Sequence, residues 1–528
     1  MQPFSSSPLT NKRALGLFLV SWVLLIQMST ISRPYSGHFS SYQANGLASI
    51  ARNMLRENFS ELNLPKTDMI VGGKRSLHLN AYPFPSLIAA LGIKAFGGSL
   101  EFWGRFQAIF FNLLTIFLVG CLAAQWFHPT AAWAAASVYA FSPFALIYGQ
   151  GFFFEPFSLF FLIFAIFLIN STDKELGLLR ILMAGFFFSL SVTARLHFLS
   201  FLPASFLNLL WRKQPKIHHL FLFVLLALTL PLLWYGYTYF ASIKADNVHT
   251  NLFVQAATRV WQDKPLLLSL PYYLRVFDIV SGVMLTPLLF PFLFLGFLVP
   301  LQKRRSMGIL TTYLLFGSLV AILAPQKIMN EEFYLAGIFP FLSIAVGLGF
   351  AHLWEIWTFR KTTVWIFAFL AFYLVVSCRY FLHPIFKGSE HMEAVMQAAQ
   401  FIQKNTNPDD FIIVTGNEPV LLAYYVDRPH WVLSFNSTGE EMRPYHKVFH
   451  FSGNNPAEIE AQEAAKKDLL SWVTYCRARG AKYLTVAPKE DLEAKPALMT
   501  YLNEHDQILS SDQDDFYLFR LAPRSLAS

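Results

Sequence analysis

The sequence predicts a polytopic α-helical membrane protein, with about eleven transmembrane helices, that ends in a C-terminal soluble α/β domain. Three observations lead there. Of 528 residues, 55% are hydrophobic and only 14% charged, and 55 are phenylalanine; a soluble chain carries nearer about 25% charge, which points to lipid as the solvent for much of this one. Apolar runs that approach the roughly 20 residues a helix needs to cross a bilayer recur from residue 14 to residue 382. Beyond residue 385 the composition changes to that of a soluble segment with alternating helix and strand patterns.

The predicted spans are 14–31, 102–124, 131–149, 152–170, a broken pair 180–194 and 198–211, then 218–240, 281–301, 307–325, 334–353 and 363–382. The first follows Lys12-Arg13 and reads as an uncleaved span, because further spans follow it. Segment 84–97 has turn signals at both ends and carries Lys94, so it reads as an interfacial helix. Cytoplasmic loops hold an excess of Lys and Arg. With the N-terminus inside, the inner loops carry Lys12/Arg13, Lys174/Arg180, Arg212/Lys213/Lys216, Lys303/Arg304/Arg305 and Arg360/Lys361. The long polar segments 32–101, 241–280 and everything after 383 then share the outer face. The domains expected are a membrane part, 1–384, with its outer loop 32–101, and an extracytoplasmic α/β part, 385–528.

Within the outer loop, 40–58 places Leu47, Ile50, Ala51, Met54 and Leu55 at helical spacing, which predicts a helix lying along the membrane surface. In the tail the pattern predicts helices near 390–405, 418–426 and 457–479, and strands from Phe411, Lys482 and Asp515. The net charge of +8 would suggest nucleic acid in a soluble chain, but the basic residues sit in short loops between spans, so it reports topology and no nucleic acid is expected. Cys121, Cys378 and Cys476 have neither disulfide-framework nor zinc spacing. Walker, GxGxxG, HExxH and GxSxG patterns are missing, which argues against an ATP-driven machine.

Chemistry is therefore sought on the outer face. Glu155 stands at the mouth of an apolar span, where a carboxylate is costly to desolvate; it either faces an aqueous cavity or a partner, or caps the helix ahead of Pro156. Arg195 interrupts an apolar stretch, with His197 two residues on. Its guanidinium either binds phosphate bidentately or snorkels to the interface or pairs with a nearby acid. Arg33, His38, Gln43, Arg52, Arg56, Lys74, Arg75, His78 and Tyr82 populate the first outer loop, suited to an anionic lipid headgroup or pyrophosphate, or to a plain solvated face. Asn330, Glu331, Glu332 and Tyr334 occupy a turn between spans on the outer face; either glutamate could pair with an arginine, or the turn is simply hydrated. Tyr424, Tyr425, Asp427 and Arg428 are explained by turn chemistry alone.

The order of these parts resembles the GT-C membrane glycosyltransferases, specifically the glycosyltransferase family 39 group, which includes protein O-mannosyltransferases and the lipid A aminoarabinose transferase. The likeness rests on IARNML (Ile50 to Leu55) in the first outer loop, then a YP stretch and KAFGG (Lys94 to Gly98) leading into EFWGRFQAIFFNLLTIFLVG. It continues in FSPFALIYGQGFFFEPFSLFFLIF and in the broken hairpin GFFFSLSVTARLHFLSFLP. The resemblance implies transfer of a sugar from a polyprenyl-phosphate carrier to a glycan, lipid or protein acceptor on the extracytoplasmic face of the cell (inner) membrane. A carboxylate would act as base on the acceptor hydroxyl, and basic side chains, sometimes with a divalent metal, would stabilise the departing phosphate; the sequence itself requires no cofactor. Where the family carries its usual acid, about seven residues ahead of the IARN-type helix, this chain has Gln43-Ala44; Glu155, His38 and, more weakly, Asp68 are the alternative bases. The family's lysine near the YP stretch is replaced in its neighbourhood by His78 and Asn80.

An inverting transferase would thus use Glu155, His38 and Gln43 near the acceptor, and Arg195, Arg52, His78, Tyr82, Glu331 and Tyr334 around the donor. A non-catalytic relative that binds a lipid-linked sugar is the alternative to which Gln43 points. A transporter or flippase would instead show mid-membrane polar residues and paired repeats of broken helices.

Overall fold

The structure, a computed structural model, describes residues 27–35, 42–71, 73–127, 129–170, 177–211, 217–245, 264–298, 304–356, 391–416, 419–435, 469–511 and 513–522, with a few single positions besides. The chain divides into two units, one of Met1–Arg33, Gly104–Trp234 and Thr258–His383, the other of Pro34–Trp103, Tyr235–Ala257 and Pro384–Ser528.

The first unit is helical. Among the described residues, four helices are long and apolar enough to cross a membrane by length and composition: Leu100–Trp126, Ile217–Lys244, Arg305–Leu323 and Glu332–Leu353. Shorter apolar helices run Phe154–Ile169, Leu178–Ala194 and Leu196–Leu210. The predicted span 131–149 is two helices, Pro129–Phe141 and Pro143–Tyr148, because Ser142 caps the second with its hydroxyl accepting from the Ala145 N–H at 3.1 Å and Pro143 cannot continue the first. Nor is 281–301 one helix. A π-turn at Ile279–Met284 and the helix Phe290–Phe297 are separated by Thr286, whose φ of +63° breaks the ladder. Nearly all of 14–31 and 363–382 lies outside the described residues.

Small residues let these helices approach. A Cβ on Gly347 would come within 2.6 Å of the Ala135 nitrogen, and one on Gly296 within 2.0 Å of the Ala345 oxygen, so the helices Pro129–Phe141 and Phe290–Phe297 both lie backbone-close to Phe339–Ile356. Phenylalanines fill the helical hairpin, where Phe161 stacks on Phe187 at 5.3 Å.

The second unit is built on a seven-stranded sheet. Its strands are β1 (Lys66–Val71), β2 (Lys74–Leu77), β3 (Phe411–Gly416), β4 (His430–Ser434), β5 (Ala481–Val486), β6 (Gln507–Ile508) and β7 (Tyr517–Arg520), in the order β2-β1-β4-β3-β5-β7-β6. β3, β4 and β5 run parallel, as strands joined through helices must, and β6 and β7 close one edge antiparallel. A hairpin from the outer loop extends the other edge: β1 joins β4 with Met69 opposite His430, and β2 returns after Gly73, whose φ of +77° suits a two-residue turn. The loop expected to belong with the membrane part is therefore a structural portion of the α/β sheet. Ile70, Ile413, Trp431, Trp472, Leu484 and Phe519 are buried together in its core.

The helix expected along the membrane surface is a π-turn, Tyr42–Ala48, running into the α-helix Ser49–Arg56. Leu47, Ile50, Ala51 and Met54 are buried there, and the helix packs on β1 and on Phe84–Phe96. Its apolar face is thus covered by protein, which corrects the reading of that stripe as lipid-facing. In the tail, helices run Met392–Asn405, Pro419–Val426 and Leu469–Ala478; the first part of the expected helix 457–479 falls outside the described residues.

Candidate functional site

Within the helical unit, two helix breaks carry the ionisable groups. The helix Leu178–Ala194 stops at Arg195, whose backbone is extended (φ −147°, ψ 95°), before a 3-10 turn Leu196–Ser200. The short helix Pro325–Asn330 stops likewise at Glu331 (φ −142°, ψ 100°) before the 3-10 turn Glu332–Ile338. Non-helical backbone in an apolar bundle is tolerated where it is buried in protein or lines a polar cavity.

Glu155 lies in the first turn of Phe154–Ile169, followed by Pro156, where the unmet N–H groups and the helix dipole favour an anion. It is 0% exposed and forms an ion pair with Arg195 Nη2. The guanidinium lies against two rings, with its Cζ 4.8 Å from the ring centres of Phe154 and of Phe333. Glu331 lies within electrostatic range of Glu155, and the Tyr148 hydroxyl is within range of Glu155, Glu331 and Glu332. Glu332 pairs with Arg275 at 3.4 Å, and Arg275 also holds Asp278 at 2.9 Å. The His197 ring lies 5.0 Å from that of Tyr334, over which Lys327 Nζ sits at 5.9 Å. His197 Nε2 is buried with no hydrogen-bond partner among the described residues. Glu155, Arg195, Glu331 and Tyr334 from the sequence reading are thus in one unit and one neighbourhood. Tyr148, Arg275, Lys327 and Phe333 were missed; Lys327 stands close to Glu331 and Glu332 in the chain and could have been singled out on that ground, whereas Arg275 meets Glu332 across 57 positions and left no local signal.

Such a pair has definite chemical capacity. A guanidinium packed against aromatic rings offers parallel N–H donors to a phosphate or carboxylate, while the buried carboxylate can take a proton from a hydroxyl brought to it.

The α/β unit holds a separate ionic cluster. Asp68 on β1 is fully buried and accepts from Arg52 Nη2 at 2.6 Å, Arg56 Nη1 at 2.9 Å and Asn53 Nδ2 at 3.1 Å, with Arg75 Nε at 3.5 Å. Arg52 and Arg56 also pair with Asp427, whose φ of +58° a short polar side chain tolerates. The Arg52 guanidinium lies 4.5 Å over the Tyr424 ring and donates to the Tyr424 carbonyl at 3.0 Å. Burial raises the Asp68 carboxyl, yet Arg52, Arg56 and His430 outweigh it and hold it below its ordinary value. Arg52 is accordingly occupied in joining the outer loop to the tail, which gives the residue expected to bind phosphate a structural assignment. Tyr424 and Asp427, expected to serve a turn, are part of the same cluster.

Gln43 is buried on the π-turn, Tyr82 packs its ring 4.6 Å from that of Phe84, and the His78 N–H donates to the Pro65 carbonyl at 2.7 Å, all three in the α/β unit. His38 lies outside the described residues. Among the described residues, no group of three or more His, Cys, Asp or Glu could hold a metal ion.

No protein-family model matches the sequence, and no curated protein matches it. Solved structures do. ArnT from Cupriavidus metallidurans bound to undecaprenyl phosphate superposes with a TM-score of 0.59 at 13% identity, over 95% of this chain and 97% of that one. Its apo form gives 0.61 at 13%, over 96% and 98%. The Archaeoglobus fulgidus oligosaccharyltransferase AglB, in complex with an inhibitory peptide and a dolichol-phosphate, gives 0.53 at 14%, over 98% and 75%. The chain has the GT-C fold shared by these neighbours.

Proposed function

We propose that this protein is a membrane glycosyltransferase that moves a sugar from a polyprenyl-phosphate carrier to a glycan, lipid or protein acceptor on the extracytoplasmic face of the cell membrane. One observation carries the reading: in a chain of GT-C fold, a fully buried Glu155 is ion-paired to an Arg195 set at a helix break and packed against two aromatic rings. Two structural neighbours contain undecaprenyl phosphate and a dolichol-phosphate, which supports a lipid-phosphate donor here. A carrier of that kind keeps its chain in the bilayer, because each buried CH₂ contributes about 0.8 kcal/mol, and offers only its headgroup to the interface.

In this mechanism Arg195 binds the donor phosphate, drawing the guanidinium off Glu155. The freed carboxylate accepts the proton of the acceptor hydroxyl as that oxygen attacks the anomeric carbon, and the carrier phosphate leaves with the bonding pair of the broken C–O bond. Glu331, Tyr334 and His197 border the same place and would position the headgroup. The topology that fits is the one of about eleven spans with a cytoplasmic N-terminus and the 385–528 part outside, as the loop charges indicate. Gln43 favours a second reading, a non-catalytic binder of lipid-linked sugar, since an amide cannot act as base.

Glu155→Gln separates the two. Purified protein incubated with radiolabelled polyprenyl-phosphate sugars and a membrane extract should transfer label, and the variant should lose at least about 100-fold of the rate, the usual range for a removed general base. Transfer at the wild-type rate in the variant would move the base elsewhere, and no transfer by wild type with retained donor binding would favour the binder.

A further inference from the structure

We propose that Gln27 and Gln150 form a subsite that recognises a sugar hydroxyl of the lipid-linked donor, an inference that rests on the transferase reading. Both belong to the helical unit, and both are buried, at 0% and 3% exposure. Three of their four amide atoms, Gln27 Nε2, Gln27 Oε1 and Gln150 Nε2, have no hydrogen-bond partner among the described residues. The fourth, Gln150 Oε1, accepts from Thr30 Oγ1 at 2.9 Å, and the Thr30 hydroxyl also lies 3.0 Å from the Gln27 carbonyl. Gln27 is helical, and residues three apart share a helix face, so its amide emerges on the side where Thr30 meets Gln150. Orphaned amide atoms in an apolar bundle cost about 1–3 kcal/mol each unless something polar fills the site.

The donor set defines the occupant. Two amide NH2 groups, with two N–H donors each, and one carbonyl acceptor, without a formal charge, match hydroxyl groups, which donate and accept at once. They do not match a phosphate. The neighbouring cation, Arg105, is directed to backbone, donating to the Thr30 carbonyl at 2.7 Å and to the Arg33 carbonyl. The site is also rigid: a Cβ on Gly149 would fall 2.2 Å from both the Asn112 Nδ2 and the Ala145 oxygen, which pins the turn carrying Gln150 against two helices. That same turn runs from Gly149 into the helix whose first turn bears Glu155, so the hydroxyl-reading amide and the reacting carboxylate are fixed on one short segment. A site built to hydrogen-bond a hydroxyl rejects the analogue that lacks it, so these amides select the donor sugar. A water molecule has the same chemistry, and the test must tell the two apart.

Full-length protein in nanodiscs is titrated with undecaprenyl phosphate, and with undecaprenyl phosphate carrying glucose, mannose, galactose or arabinose. Wild type should bind at least one glycosylated carrier more tightly than the bare one. Gln27→Met and Gln150→Met, close in volume, should each remove about 3- to 10-fold of that advantage while leaving the bare-carrier affinity unchanged, which also reports that the variants are folded. Variants that retain the full advantage overturn the proposal and leave the amides to water. Equal binding of all five carriers by wild type overturns it too. Failure of wild type to bind bare undecaprenyl phosphate is a different result, and it removes the transferase reading on which the subsite stands.

Discussion

His430 should make the α/β unit sensitive to mild acid, and replacing it should remove that sensitivity. The ring is 0% exposed on β4, directly opposite β1; Nδ1 lies 2.8 Å from the Arg428 carbonyl, which fixes the neutral tautomer with Nδ1 donating, and Nε2 is buried with no partner among the described residues. Burial pushes its pKa from 6.5 down to about 4, with Arg52 and Arg75 acting in the same direction and Asp68 opposing. Between those values the unfolded chain binds a proton that the folded one refuses. The stability is therefore complete above pH 6.5 and is lost as pH falls towards 4. At pH 4.5 two pH units of that window have been crossed, and at 1.36 kcal/mol per unit the loss is roughly 3 kcal/mol. Asp68 does not interfere. Its pKa is depressed below 3.8, so its contribution is present above that value and falls only in stronger acid. His430→Gln keeps a donor for the Arg428 carbonyl and does not titrate. Unfolding of the full chain in detergent, followed by tryptophan fluorescence at pH 7.5, 5.5 and 4.5, should show the wild type losing about 3 kcal/mol more than the variant. Parallel pH profiles for the two proteins would refute the assignment of a buried neutral histidine.

Other consequences can be checked in the same preparations. Asp68→Ala removes the shared anion of Arg52 and Arg56 and should destabilise the α/β unit by about 3–5 kcal/mol, read as a lower melting transition; an unchanged transition would mean the arginines are solvated. Arg195→Lys keeps the charge but not the planar fork that lies against Phe154 and Phe333, and kcat/KM for transfer should fall at least about tenfold. Asn208 Nδ2 donates to Asn170 Oδ1 at 2.9 Å and to the Tyr313 hydroxyl at 3.3 Å, and Trp126 Nε1 donates to Asn170 Oδ1 at 3.1 Å. Opening that network with Asn208→Leu should lower stability by about 0.6–2 kcal/mol in a thermal-shift assay, with carrier binding retained.

How far the sequence reaches is set by the range of the interactions. Its apolar runs reveal membrane character, because the cost of placing a residue in lipid is a property of that residue and its neighbours in the chain. The break at Arg195 and the isolated Glu155 are visible for the same reason: each interrupts a local pattern. So are β3, β5 and the helix Met392–Asn405, whose periodicities lie within single short segments. The outer loop is where local pattern misleads. The stripe Leu47, Ile50, Ala51, Met54 states that one face must be buried, but not whether lipid or protein covers it, and the fold covers it with β1 and the helix Phe84–Phe96. The Gly72-Gly73 pair ahead of Lys74 was a readable turn signal for β1 and β2, yet nothing in it names β4 as their neighbour.

Only tertiary structure decided which charges meet. Arg52 reads as a phosphate ligand until Asp68, Asp427 and Tyr424 close around it, and Glu155 has no visible partner until the breaks at Arg195 and Glu331 are brought alongside. Gln27 and Gln150 look like ordinary polar residues at helix ends until burial leaves three of their four amide atoms without partners among the described residues. Hydropathy and periodicity are fixed by covalent neighbours, so the sequence determines the apolar runs and the local turn signals. An ion pair, a strand neighbour or an orphaned amide is a relation between residues far apart in the chain, and it exists only once the fold has closed the loop between them.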